Sequence, residues 1–373
     1  MNAAHDRFLQ ILRCAVSGQK TALANADAAD VMRLSMVHGV LPFLSSAVSD
    51  LPKSWRSAAL ALTTDQIRRD VIGYNALSQM RSSGIDFLLL KGAVCASAYP
   101  DPVLRMASDL DVYTFGRNAE ASAFLRSHGF APEHDDGDEM SLLHPGTGAH
   151  IELHNRLIDK PDAAFLLPTE PFREIMVYGL SFQTLGERDS LLYILYHMYR
   201  HFLSGGFGVK QITDACLYAS KMPSIVDECF FASLAAIRAE GLARAVFGAG
   251  EIAFGIESVC AYTPEPARAL LEDALRAGVY GAAEPDRKQT ARLTQYAVRG
   301  SSGIRQSLFP EADYMRKKYP FLKKRPYLLP VAYVRRLASY GVDVAKRRKS
   351  PAAAARTADE RLKLIEMLGL TEN

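Results

Sequence analysis

Two aspartates separated by one apolar residue, Asp109-Leu110-Asp111, stand at the head of a short run that continues into Val112 and Tyr113. Side chains alternate between the two faces of a strand, so both carboxylates fall on one side and Leu110 and Val112 on the other. Carboxylates held that close repel unless a cation sits between them. Hard oxygen ligands at this spacing suit Mg²⁺, which usually takes one or two carboxylates together with substrate phosphates. A third carboxylate lies downstream in His150-Ile151-Glu152-Leu153-His154, where the same alternation puts His150, Glu152 and His154 on one face. Glu152 could be an ordinary solvated residue, but its place after an acidic strand favours a shared metal site. His154 could orient Glu152, contact substrate or lie exposed. Zinc on His150 and His154 is disfavoured, because no cysteine is near and paired aspartates prefer magnesium.

Cations flank this acidic pair. The apolar run Phe87-Leu88-Leu89-Leu90 ends in Lys91-Gly92-Ala93, which reads as a strand turning into a short helix over 93–98. A helix start offers free N–H groups and a positive dipole end to an anion, and Lys91 adds a mobile charge there. The plainer accounts are a strand-end lysine and a turn glycine. Arg105 could pair with Asp101 or Asp109, or reach a phosphate. Lys210 and Asp214 are four apart on one helix face and could form a helix salt bridge. His197 and His201 have zinc spacing, but Met198 fills the place of the glutamate in H-E-x-x-H, so core or substrate-facing histidines are expected.

In their order along the chain these pieces resemble the polymerase-β-like nucleotidyltransferase superfamily, above all its bacterial branch of uncharacterised nucleotidyltransferases. The matching residues are Leu89-Leu90-Lys91-Gly92, Arg105, Ser108-Asp109-Leu110-Asp111 and Ile151-Glu152-Leu153-His154. The likeness continues through His197, residues 209–214 and Ser307-Leu308-Phe309-Pro310, and so spans about positions 35–325. The resemblance implies Asp109, Asp111 and Glu152 as catalytic metal ligands for two Mg²⁺ ions. It places the triphosphate of an NTP, with ATP as first choice, near Lys91, Gly92, Arg105, Ser108 and Lys210. His154, His197 and Asp214 become supporting or substrate-facing groups. One departure is that better-known members carry Gly-Ser or Gly-Gly after the first strand, where this chain has Lys-Gly-Ala.

The elements that must position these groups follow from periodicity and turn signals. Residues 1–80 read as helices, with apolar stripes over 8–16, 28–46 and 64–80. Residues 81–165 read as the catalytic core, with a helix over 118–127 and a hairpin joining 140–143 to 150–154 across Pro145-Gly146-Thr147-Gly148. Residues 166–300 read as a helical domain, the pattern turning helical from Pro168, with helices at 189–199, 232–251, 264–277 and a polar stretch over 282–300. A basic helical tail, 301–373, closes the chain with a last helix near 360–368. The fold class is therefore α+β, a small mixed sheet flanked by N- and C-terminal helical regions.

Composition narrows the function. At 373 residues the chain exceeds one small core, and 49% apolar with 23% charged residues is ordinary for a globular protein. The net charge of +3 does not by itself imply nucleic acid. The tail does carry Arg316-Lys317-Lys318, Lys323-Lys324-Arg325 and 346–349 with tyrosines between them, a pattern that can bind nucleic acid but more often marks solvated helix faces. Five scattered cysteines without C-x-x-C spacing argue for a reducing compartment, and the first residues lack a signal peptide's basic start and apolar stretch. No apolar run approaches the roughly 20 residues of a membrane span. Cytoplasm and no membrane partner are expected. The leading expectation is NMP transfer from an NTP to a hydroxyl of an acceptor that the sequence does not name, whether small molecule, sugar, protein or RNA end. Its rivals are a nucleotide-binding protein of the same fold without catalysis, and a nucleic-acid binder using the tail.

Overall fold

The first helix starts where the sequence offers a cap. Asn2 accepts a hydrogen bond from the His5 N–H, and α1 (Ala3–Ser17) then buries Phe8, Leu9, Ile11 and Leu12 on one stripe. The computed structural model describes residues 2–23, 28–158, 168–281, 287, 312–319, 321–336 and 351–371. The stripe expected over 28–46 divides into α2 (Ala28–Val37) and α3 (Leu41–Ser45), because Gly39 takes φ +64 ahead of Pro42. α4 (Lys53–Ser82) runs for 30 residues, starting well before the apolar stripe at 64–80.

Of the apolar run before Lys91, only β1 (Leu88–Leu89) is strand, and α5 (Lys91–Ala96) begins two residues earlier than the glycine-based boundary suggested. β2 (Leu110–Tyr113) follows, then α6 (Asn118–Ser127), β3 (Ala131–Asp135), β4 (Glu139–Leu143) and β5 (His150–His154). The expected hairpin is present as β4–β5, paired from Glu139↔His154 to Leu143↔His150. The five strands form one mixed sheet in the order β1-β2-β5-β4-β3. β2 runs antiparallel to β1 and parallel to β5, so the sequence from 114 to 149 crosses over to bring the two carboxylate-bearing strands side by side. The α+β assignment with helices around a mixed sheet is borne out.

The stretch after Pro168 departs from the helical expectation. It forms a separate hairpin, β6 (Arg173–Val177) and β7 (Leu180–Thr184), before any helix. Ile175 pairs with Phe182, both buried, in a short alternation easily lost beside the strong helical pattern that follows. Tyr178 and Gly179 make the turn with φ +48 and +77, the mirror-image geometry that suits the right-handed twist of a hairpin. Thr184 Oγ1 donates to the Leu89 carbonyl at 2.6 Å and ties the hairpin to β1.

Helices α7 (Glu187–Ser204), α8 (Val209–Lys221), α9 (Glu228–Ala235), α10 (Glu240–Phe254) and α11 (Pro264–Ala277) complete the packing. The single helix expected over 232–251 is split at Ala236–Ala239, and the helix over 264–277 falls as expected. The C-terminal helix Pro351–Met367 buries Leu364 and Ile365. Buried apolar side chains from Phe8 to Leu370 form one continuous cluster, with Met315, Leu322 and Ala332 in a small satellite. The sequence features at 288–300, 307–310 and 346–349 lie outside the described residues. Among the described residues no helix is long and apolar enough to cross a membrane, and all five cysteines are free.

Candidate active site

Parallel pairing of β2 with β5 sets the site. The register Leu110↔Ile151, Asp111↔Glu152 and Val112↔Leu153 buries the apolar residues and leaves the acidic ones together on the other face. Ligand-capable atoms of Asp109, His150 and Glu152 all lie within 4.8 Å of one another, and so do those of Asp111, Glu152 and His154. Glu152 is thus the common member, with one aspartate and one histidine to either side.

The two carboxyls opposite each other have different charge states. The Asp111 side chain is fully buried. Burial alone would raise its pKa, but the Lys91 ammonium, 2.5 Å from Oδ1, and a hydrogen bond from His154 Nε2 at 3.1 Å hold it below the usual carboxylate range. Its second oxygen, Oδ2, is buried and accepts no hydrogen bond from the protein. Glu152 gains less: His150 Nδ1 lies 3.8 Å from its Oε1, and the Lys91 charge lowers its pKa only in part. Burial, then the charges of Asp111 and Asp109, push its carboxyl up to about 8. At neutral pH it keeps its proton unless a further cation enters. The open buried oxygen of Asp111 and the carboxyls of Asp109 and Glu152 are the oxygen donors that a hard divalent ion takes, and an entering cation would draw the proton from Glu152.

In front of this face lies a groove of about 240 Å³ lined by Arg69, Lys91, Gly92, Arg105, Ser108, Asp109, Asp111 and Lys210, among others. All five residues expected near a nucleotide therefore meet in one place, with four cationic side chains facing two aspartates. Arg105 pairs with neither Asp101 nor Asp109. It forms a two-point contact with Asp214, Nε to Oδ1 at 2.9 Å and Nη2 to Oδ2 at 2.8 Å, because α8 packs against α5 and carries Asp214 there. Tyr99 donates to the same carboxylate at 2.7 Å, and Lys210 Nζ is 3.8 Å away. Asp214 is thus a buried hub for three groups behind the groove, and the helix-face pairing with Lys210 is real. Burial, then the Arg105 charge, lowers the pKa of Lys210.

His154 leans on Asp111, not on Glu152, while its other nitrogen is 3.7 Å from Glu139. His197 is half-buried on α7 with its Nε2 2.6 Å from His201 Nε2, one ring donating to the other. Burial, then the Lys91 charge, drives both imidazoles down, His201 to about 3, so the pair is neutral.

Sequence reasoning missed Arg69 and Gln66. Both sit on α4, where only the apolar stripe drew notice. Gln66 is 3% exposed, and its Oε1 accepts from the Ala107 N–H, bracing the segment that leads into the acidic strand. A polar residue inside an apolar stripe was the available signal.

The model of a family of uncharacterised nucleotidyltransferases matches residues 24–252, more than half of the chain. A crystal structure of an antigenic nucleotidyltransferase-like protein from Paracoccidioides brasiliensis is similar at 17% identity, covering 53% of this chain and 96% of that one with a TM-score of 0.33. No curated protein matches the sequence. On the family match, with the paired acidic strands and cation-lined groove in place, the chain belongs to the uncharacterised nucleotidyltransferase family.

Proposed function

We propose that the protein transfers the nucleoside monophosphate of an NTP to a hydroxyl acceptor, with magnesium held by Asp109, Asp111 and Glu152. The observation that carries this reading is the β2–β5 register, which gathers three carboxylates on one face beside a groove rich in cations. Phosphoryl-group chemistry asks little covalent work of a protein and much positioning and charge stabilisation. Divalent ions bound there would neutralise charge on the phosphates and lower the pKa of an acceptor hydroxyl.

The chain's own residues do the rest. Lys91, Arg69 and Lys210 face the groove and attract the triphosphate, with Ser108 at its edge. Arg105, held by Asp214 and Tyr99, keeps that wall rigid. His154 and Lys91 fix Asp111 in its ionised form, so the open oxygen is presented without a proton. Glu152, carrying a proton at neutral pH when no cation is near, releases it as the site fills and then completes the acidic face. Incubation with NTPs labelled at the α-phosphate, Mg²⁺ and cell extract tests this. Label should appear in a product with wild type and vanish with Asp111→Asn.

A second reading, nucleotide binding without transfer, is favoured by Lys91 standing against Asp111, since a tethered cation can substitute for a metal. Mg²⁺-dependent NTP binding with no labelled product from any extract would support it.

A further inference from the structure

A larger cavity, of about 410 Å³, meets the groove at three shared lining residues, Gly92, Arg105 and Ala107. It lies on the other side of β2, where Leu110 points away from Asp109 and Asp111. Buried Tyr74 of α4 forms another wall, and Met176 and Tyr178 of the β6–β7 hairpin stand at its rim, 64% and 43% exposed. Its size and its mainly apolar lining are those of a small-molecule site, which needs a few convergent polar groups for orientation.

Here the convergent group is Asp70. Its Oδ1 accepts from Gln66 Nε2 at 2.6 Å and its Oδ2 from the Tyr178 hydroxyl at 3.0 Å. Gln66 is itself oriented, because its carbonyl oxygen takes the Ala107 N–H at 3.0 Å. Tyr178 occupies a φ of +48 in a turn position usually given to asparagine, aspartate or glycine, and the hairpin holds it there with its hydroxyl on Asp70. A carboxylate oxygen accepts about two hydrogen bonds. Each oxygen of Asp70, which lines the cavity, therefore has capacity for one more hydrogen bond.

Position decides which part of a substrate would enter. In phosphoryl-group transfer the attacking oxygen and the leaving group lie roughly in line. With Glu152 on the acceptor side and the phosphates along Lys91 and Gly92, a cavity that opens at Gly92 and Arg105 adjoins the nucleotide, not the acceptor. The rings of Tyr74 and Tyr178, with centroids 5.9 Å apart, offer the apolar faces on which bases stack.

We propose that this cavity seats the base of the NTP and that the base is guanine, whose N1–H and N2–H₂ edge places two adjacent donors against Asp70. The assignment rests on the nucleotidyltransferase reading above and departs from ATP as the first choice. Adenine and cytosine present a donor beside an acceptor, and uracil a single donor between two acceptors, so none donates to both oxygens. Burial raises the Asp70 carboxyl and the bonds from Gln66 and Tyr178 oppose that, so the test is run at pH 8 to favour the carboxylate form.

Calorimetric titration of the full chain with GTP, ITP, ATP and inorganic tripolyphosphate, all with Mg²⁺, gives the decisive comparison. GTP should bind about ten- to hundredfold tighter than ATP or ITP, the latter lacking only the N2 amine. Asp70→Asn should bring GTP down to the level of ATP and leave tripolyphosphate unchanged. Val103→Trp, which adds bulk to the cavity and leaves Asp70 unsubstituted, should likewise remove the advantage of GTP over tripolyphosphate. Equal affinities for GTP and ATP beside clear tripolyphosphate binding would overturn the base assignment and leave the phosphate groove standing. Failure of every NTP and of tripolyphosphate to bind wild type would overturn the nucleotide reading, and this inference with it.

Discussion

Lys91 Nζ stands 2.5 Å from Asp111 Oδ1, so one of the chain's own cations neutralises the most deeply buried carboxylate of the site. Backbone register produces the pair. β1 is the antiparallel neighbour of β2, with Leu89 opposite Val112, and the Leu90 N–H donates to the Asp111 carbonyl at 2.9 Å. The next residue, Lys91, is thereby delivered to the Asp111 side chain. Spacing along the sequence suggested Lys91 as a phosphate ligand or a plain strand-end lysine, because strand pairing across twenty positions is not visible in a local pattern.

The pair makes a stability prediction. Removing one partner of a buried ion pair leaves an uncompensated charge and typically costs about 3–5 kcal/mol. Lys91→Ala should therefore unfold at distinctly lower urea in metal-free buffer, and Lys91→Ala/Asp111→Asn should recover most of the loss. A single mutant as stable as wild type would show that the ammonium contributes nothing to Asp111.

Catalysis gives the next one. Asp111→Asn removes the open buried oxygen as a charged ligand, and metal stabilisation of such a transition state is worth several kcal/mol. Transfer should fall by about three orders of magnitude or more, while circular dichroism and a cooperative melt stay close to wild type. Lys91 is 11% exposed and borders the groove, so its ammonium can turn to solvent in this variant. Near-normal turnover by Asp111→Asn would remove the carboxylates from the mechanism.

Glu152 predicts a pH dependence. An ordinary glutamate titrates near 4.5, and burial with the two aspartates pushes this one to about 8. Between those values the folded chain holds a proton that the unfolded chain has released, so stability falls as pH rises through that window and levels off above it. Glutamine has no proton to lose. Without metal, Glu152→Gln should match wild type at pH 4 and exceed it at pH 8.5 by a few kcal/mol, since each pH unit across that window is worth about 1.4 kcal/mol. Chemical denaturation at the two pH values checks this, and an advantage that is the same at both would refute the assignment.

How far the site could be read from sequence depended on the range of each interaction. Asp109, Asp111, His150, Glu152 and His154 declared themselves because strand alternation is a local property, and the β4–β5 hairpin followed from Pro145-Gly146 for the same reason. The groups that hold those residues in place did not, since Lys91–Asp111, Arg105–Asp214 and Ala107–Gln66 join different elements. The β6–β7 hairpin was lost because its turn carries tyrosine where Asn-Gly would have announced it. α4 was read by its apolar stripe alone, and the partners of Gln66 and Asp70, Ala107 and Tyr178, lie on other elements.

Asp214 supplies the last prediction. Its carboxylate is 4% exposed and receives Arg105 at two points, the Tyr99 hydroxyl and, at 3.8 Å, Lys210. Burial alone would raise its pKa, but Arg105 and then Lys210 outweigh that and keep it ionised. Asp214→Asn preserves shape and one acceptor oxygen but removes the charge. Arg105 and Lys210, both at the groove wall, would then face each other without an anion between them, at a cost of about 3 kcal/mol. An anion placed in the groove restores part of that balance, so inorganic tripolyphosphate should raise the melting temperature of Asp214→Asn more than that of wild type. Equal shifts in the two proteins would mean that Arg105 and Lys210 serve the fold and not the groove.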